Sequence, residues 1–87
     1  MRVDQAIAEK IDELVLVVKK RESTDSVYRN CSYVDYDSCY VYINYSNSCL
    51  IAIHYGRWRD DMILIPMGDP DAVIKAVKII NDHHKEQ

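Results

Sequence analysis

The sequence predicts an α+β domain of order α-β-β-β-β-α: a four-stranded antiparallel meander with both helices packed on one face. Three observations carry that prediction. A segment at each end repeats apolar residues at helical spacing. Between them lie four short stretches rich in valine, isoleucine and tyrosine, joined by spacers of hairpin length. Each helix has one apolar stripe, and a sheet face is the economical cover for both.

The first helix is expected over 3–20. Asp4 is its candidate N-cap, and Val3, Ile7, Ile11, Leu14 and Val18 recur on one side. Lys19, Lys20 and Arg21 would complement the dipole at its C-terminal end. Leu16 does not fit, because at about 100° per residue it falls opposite Ile11. Either that helix end is buried all round or Leu16 meets another chain. "RESTDS" reads as a loop.

The strands follow as "VYRNCSYV" (27–34), "CYVYINY" (39–45), "CLIAIHY" (49–55) and "DMILIP" (61–66). Their spacers are "DYDS", "SNS" and "GRWRD". The closing segment "MGDPDAVIKAVKIINDHHKEQ" opens a helix with Asp69 as cap, Pro70 in the first turn and Asp71 at the positive dipole end. Val73, Ala76, Val77 and Ile80 form its buried stripe.

Register then separates two faces. A three-residue turn with a left-handed Asn47 sets Cys39 opposite Tyr55, Val41 opposite Ile53 and Ile43 opposite Ile51. Ile63 and Ile65 share that face, and Val27 and Cys31 join it from the first strand. The other face collects Tyr28, Asn30, Ser32, Tyr40, Tyr42, Asn44, Leu50, Ala52, His54, Met62 and Leu64. No further segment remains to cover it, so it is expected to be open. The chain has seven tyrosines and no phenylalanine. A ring that is wet when free and buried when bound benefits from a hydroxyl, and tyrosine among asparagine and serine is typical of adaptable binding surfaces. Decoration of a solvated sheet is the plainer alternative. Leu50, Ala52, Met62 and Leu64 favour binding, since a contiguous apolar patch calls for a partner.

Eighty-seven residues suffice for one core, so 1–87 is read as a single domain. A net charge of −3 argues against a dedicated nucleic-acid binder, which is usually basic. No stretch is long and apolar enough to span a bilayer, the N-terminus does not read as a signal peptide, and three cysteines suit a reducing compartment. A cytoplasmic location is expected.

Chemistry is hard to assemble. Cys31, Cys39, Cys49 and His54 have no zinc-type spacing, and the register turns the cysteines toward the helices and His54 away from them. Asp60 and Asp61 are neighbours in an extended segment and diverge. Asp35 and Asp37 would converge around a cation in one reading, but turn aspartates usually bond the local backbone, and that is the reading preferred. His83 and His84 sit where a helix end frays into solvent. Only Gly56 and Gly68 are available, too few for a phosphate loop. No enzymatic activity, cofactor or metal is assigned.

The sharpest feature is "RWRDD" (57–61), where Arg57, Trp58 and Arg59 crown a hairpin with residue types enriched at binding hot spots. Trp58 folded back over the core, with the arginines paired to Asp60 and Asp61, is the alternative. The expected function is a non-enzymatic adaptor or inhibitor, a small accessory protein that binds another protein and self-associates. Its contact residues would be Tyr28, Tyr40, Tyr42, Asn44, His54, Arg57, Trp58, Arg59, Met62 and Leu64. A small-ligand or nucleotide site at a dimer seam is the second reading. Nucleic-acid binding through the Arg-Trp-Arg tip ranks below it.

Overall fold

The computed structural model describes residues 3–17, 21–23, 32–45, 48–56 and 62–85. Helix α1 (Val3–Leu14) leads into strands β1 (Arg21–Ser23), β2 (Ser32–Tyr36), β3 (Cys39–Ile43), β4 (Cys49–Tyr55) and β5 (Ile63–Pro66), and helix α2 (Ala72–Lys85) closes the chain. The strands form one antiparallel sheet in sequence order, a meander as expected. The stretch read as a loop contributes its short edge strand, β1. Both helices cover one face: Ile11 from α1 and Ala72, Ala76 and Ile80 from α2 meet Val41, Ile43, Ile51, Ile53 and Ile65 in one buried cluster. Among the described residues no helix is long and apolar enough to cross a membrane.

Helix α1 is shorter than its apolar run suggested. It already includes Val3, so Asp4 lies inside its first turn and not ahead of it. The last helical bond runs from the Val15 amide to the Ile11 carbonyl at 3.0 Å. The next amide, that of Leu16, donates instead to Asn81 Oδ1 of α2 at 2.9 Å. From there the pattern has a period of two: Val15 and Val17 pack on the core while Leu16 stands 83 % exposed. That resolves the misfit of Leu16, which is not helical at all. Leu14, placed on the buried stripe, is 44 % exposed, and Val18 lies outside the described residues.

Helix α2 starts at Ala72, later than expected, with Asp69, Pro70 and Asp71 in the turn that leads into it. Asp69 Oδ1 accepts the Asp71 amide at 2.8 Å, and the Asp69 carbonyl accepts that of Ala72 at 3.3 Å. Its carboxylate also pairs with Lys75. The Lys75 ammonium and the Asp71 amide hold the Asp69 carboxyl below its ordinary range.

Two turns fix the register. Tyr36 pairs with Cys39, so Asp37 and Ser38 alone join β2 to β3, both at positive φ (53° and 78°). These are the signs of a type I′ hairpin, whose twist suits the flanking strands. Asp35 Oδ1 accepts the Ser38 amide at 2.8 Å, and the Ser38 carbonyl accepts that of Gly56 at 3.0 Å. The tight turn extends β2 to Tyr36 and reverses the expected parity of this strand. Val34 and Tyr36 face the helices, 3 % and 1 % exposed, whereas positions 27 and 31 had been assigned there. Ser32 pairs with Ile43. Residues 27–31 lie outside the described residues.

The β3–β4 register is the predicted one: Cys39↔Tyr55, Val41↔Ile53 and Ile43↔Ile51. Strand β3 ends earlier than expected because Asn44 takes the left-handed conformation, φ 61°. Asn47, expected to do so, lies outside the described residues.

Candidate functional site

The face away from the helices is built on two rows of cross-strand neighbours. Tyr40 pairs with His54, and the second row runs Tyr42, Ala52, Leu64 from β3 to β5. Ala52 leaves space beside Tyr42, and the His54 ring occupies the diagonal. His54 stacks on Tyr40 (centroids 4.8 Å, planes 16° apart) and on Tyr42 (5.5 Å, 16°). The Tyr42 hydroxyl and His54 Nε2 are hydrogen-bonded at 3.2 Å. Tyr45 tilts against Tyr42 at 6.2 Å.

This face is not open at its centre. Tyr42 and His54 are each 4 % exposed and Ala52 is fully buried. Tyr42 and Ala52 form with Cys49 a second, smaller cluster against which Tyr40, Tyr45 and Met62 pack. The expected open tyrosine surface is therefore corrected at Tyr42 and His54, whose rings stabilise the sheet. Among the proposed contact residues, Asn44 and Leu64 are exposed, Tyr40 and Met62 are half-buried, and Tyr28, Arg57, Trp58 and Arg59 lie outside the described residues. So do Asn30, Asp60 and Asp61.

Cys49 reaches the second cluster through a β-bulge. Ile51 pairs with Ile65 but Cys49 with Pro66, so two steps on β4 face one on β5. Beyond the bulge the alternation flips. Cys49, expected toward the helices, packs with Tyr42 and Ala52, while Leu50, expected opposite, packs on the helix-side core. The Cys49 thiol lies 3.1 Å from the Ile51 carbonyl and 3.5 Å from that of Ile65, and burial pushes its pKa up. Cys39 stays on the helix side, fully buried, where desolvation and then the Asp35 carboxylate push its thiol up to about 12. A thiol held protonated is a small hydrophobe and a poor nucleophile. Cys39 and His54 lie on opposite faces, as the register implied.

The C-terminal histidines are docked, contrary to expectation. His84 Nε2 donates to the Tyr36 carbonyl, and His83 stacks on Tyr55 at 4.1 Å. Tyr36 donates its hydroxyl to Asp12 Oδ1 at 3.3 Å, so a tyrosine bridges the sheet and α1. The parity assigned to the first strand concealed it. Asp35 bonds the turn backbone, as expected of such a residue. Among the described residues no group of three or more histidine, cysteine, aspartate or glutamate side chains is arranged to hold a metal ion.

Apolar side chains are exposed along β5 and just after it. Ile63, Leu64 and Met67 are 36 %, 57 % and 51 % exposed. No protein family, curated protein or solved structure matches this chain.

Proposed function

We propose that the protein is a non-enzymatic binding module that docks another protein through the rim of its second face, at Tyr40, Asn44, Met62 and Leu64. The sequence between β4 and β5, Arg57-Trp58-Arg59, supplies residue types enriched at binding hot spots. Exposure of Leu64 carries the reading. In one cross-strand row Tyr42 and Ala52 are buried, while Leu64 beside them is 57 % exposed. An apolar surface that runs from a packed cluster into solvent is suited to complete its burial against a partner. Buried Tyr42 and His54 act as the rigid floor of this surface and hold Tyr40 by ring stacking.

The test is recovery of a specific protein from cells expressing the chain, followed by binding of the two purified proteins. Truncation of a central anchor costs about 2 kcal/mol, so Leu64→Ala should weaken that complex about thirtyfold. A complex indifferent to Leu64→Ala and Tyr40→Ala, or a small molecule retained by the purified protein in native mass spectrometry with no protein partner, would reject the reading.

A further inference from the structure

The outer edge of β5 is a second-copy interface: we infer that two chains pair edge to edge through this strand, across a two-fold axis near Leu64 and Ile65. The inference rests on the reading of the protein as a binding module and names one partner for it. Among the described residues no strand pairs with β5 on its outer side. Soluble proteins protect such edges with short strands, lysine, proline, inward charges or bulges, because unpaired N–H and C=O groups template association; of these β5 has its four-residue length and Pro66. Ile63-Leu64-Ile65-Pro66 carries no charge and offers apolar side chains on both faces. Pro66 has no amide hydrogen, so it ends the edge and confines pairing to the residues before it.

The flank of α2 completes the surface. Ile63, Leu64, Ile65 and Pro66 line a shallow groove of about 280 Å³ with Asp69, Lys75, Lys78 and Ile79. Antiparallel pairing about a two-fold axis runs the two α2 helices in opposite directions beside this groove. The Lys75 and Lys78 end of each then meets the Asp82 end of the other. Lys78 already pairs with Asp82 within one chain at 3.1 Å, and exchange of that partner between copies conserves the charge balance. A two-fold contact of this kind is self-complementary, which an apolar edge flanked by both charge signs on one helix satisfies.

At the fractions they expose, Ile63, Leu64 and Met67 present on the order of 300 Å² of apolar surface, the size of the largest and often functional patch of a small protein.

Sedimentation velocity of the whole chain up to about 100 µM, a range that captures micromolar self-affinity, tests the inference. The expected species has twice the chain mass of 10.2 kDa. Leu64→Lys and Ile63→Lys, at exposed positions, should each weaken the dimer at least tenfold with an unchanged circular dichroism spectrum. Leu16→Glu, on a different element and 83 % exposed, should leave the dimer intact. A monomer throughout, a dimer indifferent to both lysine variants, or one abolished by Leu16→Glu would overturn the proposal. Leu64-dependent binding of a purified, different protein by a strictly monomeric chain would overturn it too, while leaving the module reading standing.

Discussion

Tyr42 and Ile43 are neighbours on β3 that point to opposite sides of the sheet, and their truncation measures how much core each side holds. Ile43 is fully buried in the helix-side cluster. Ile43→Ala removes methyl groups that the helices cannot follow inward, a loss of about 2–5 kcal/mol. A domain of this length has on the order of 4–13 kcal/mol in total, at the usual stability per residue. Tyr42 tests the second cluster. An open sheet face would make Tyr42→Ala nearly silent, within about 0.5 kcal/mol. At 4 % exposure the ring instead loses its burial, its stacking on His54 and the hydroxyl contact with Nε2. Truncation of a buried aromatic costs about 3–5 kcal/mol, and roughly 3 kcal/mol is expected here because Tyr42 lies in the smaller cluster. Urea unfolding followed by far-UV circular dichroism gives both values, with Leu16→Ala as an exposed control. If Tyr42→Ala costs less than about 0.5 kcal/mol while Ile43→Ala costs its full amount, the second cluster is not a core.

The remaining predictions concern the turn and the buried thiol. Ser38, at φ 78°, is strained for an L side chain, so Ser38→Gly should stabilise by about 0.5 kcal/mol after glycine's extra chain entropy, and Ser38→Val should destabilise by about 1–2 kcal/mol, both read from urea midpoints. Cys39 has a pKa raised in the folded state, so its contribution is intact below the ordinary thiol value of 9.0 and declines as pH rises from there toward about 12. At ~1.4 kcal/mol per pH unit the loss reaches about 4 kcal/mol at full ionisation, and Cys39→Ala should flatten that alkaline limb relative to the parent.

Much of this architecture is legible in the residues. Alternation in "CYVYI" and "CLIAI" sets the β3–β4 register because a one-residue slip would turn isoleucines into solvent. "GDPDA" announces the start of α2 through Asp69. Two of the misread strands share one cause: local geometry that inserts or removes a residue from a period-two pattern. Asp37 and Ser38 both accept positive φ, so a spacer that looked four residues long closes in two, and Tyr36 becomes core. The bulge at Cys49 and Leu50 exchanges their faces, although nothing in the apolar pattern marks it. The end of α1 depends on Asn81, 65 residues away from Leu16, and a run such as "LVLVV" carries no trace of that partner. Closure of the second face around His54 was hidden because ring stacking between strands buries polar-tipped side chains that the composition alone assigns to solvent.

The central claim is that the apolar edge and rim at β5 are a docking surface. Amide hydrogen exchange read by mass spectrometry at low and high protein concentration tests it directly. Peptides covering 62–67 should exchange more slowly at high concentration, while those covering the already paired β4, 49–55, should not change. Exchange in 62–67 that is independent of concentration, and unaltered by a recovered partner protein, would contradict the account.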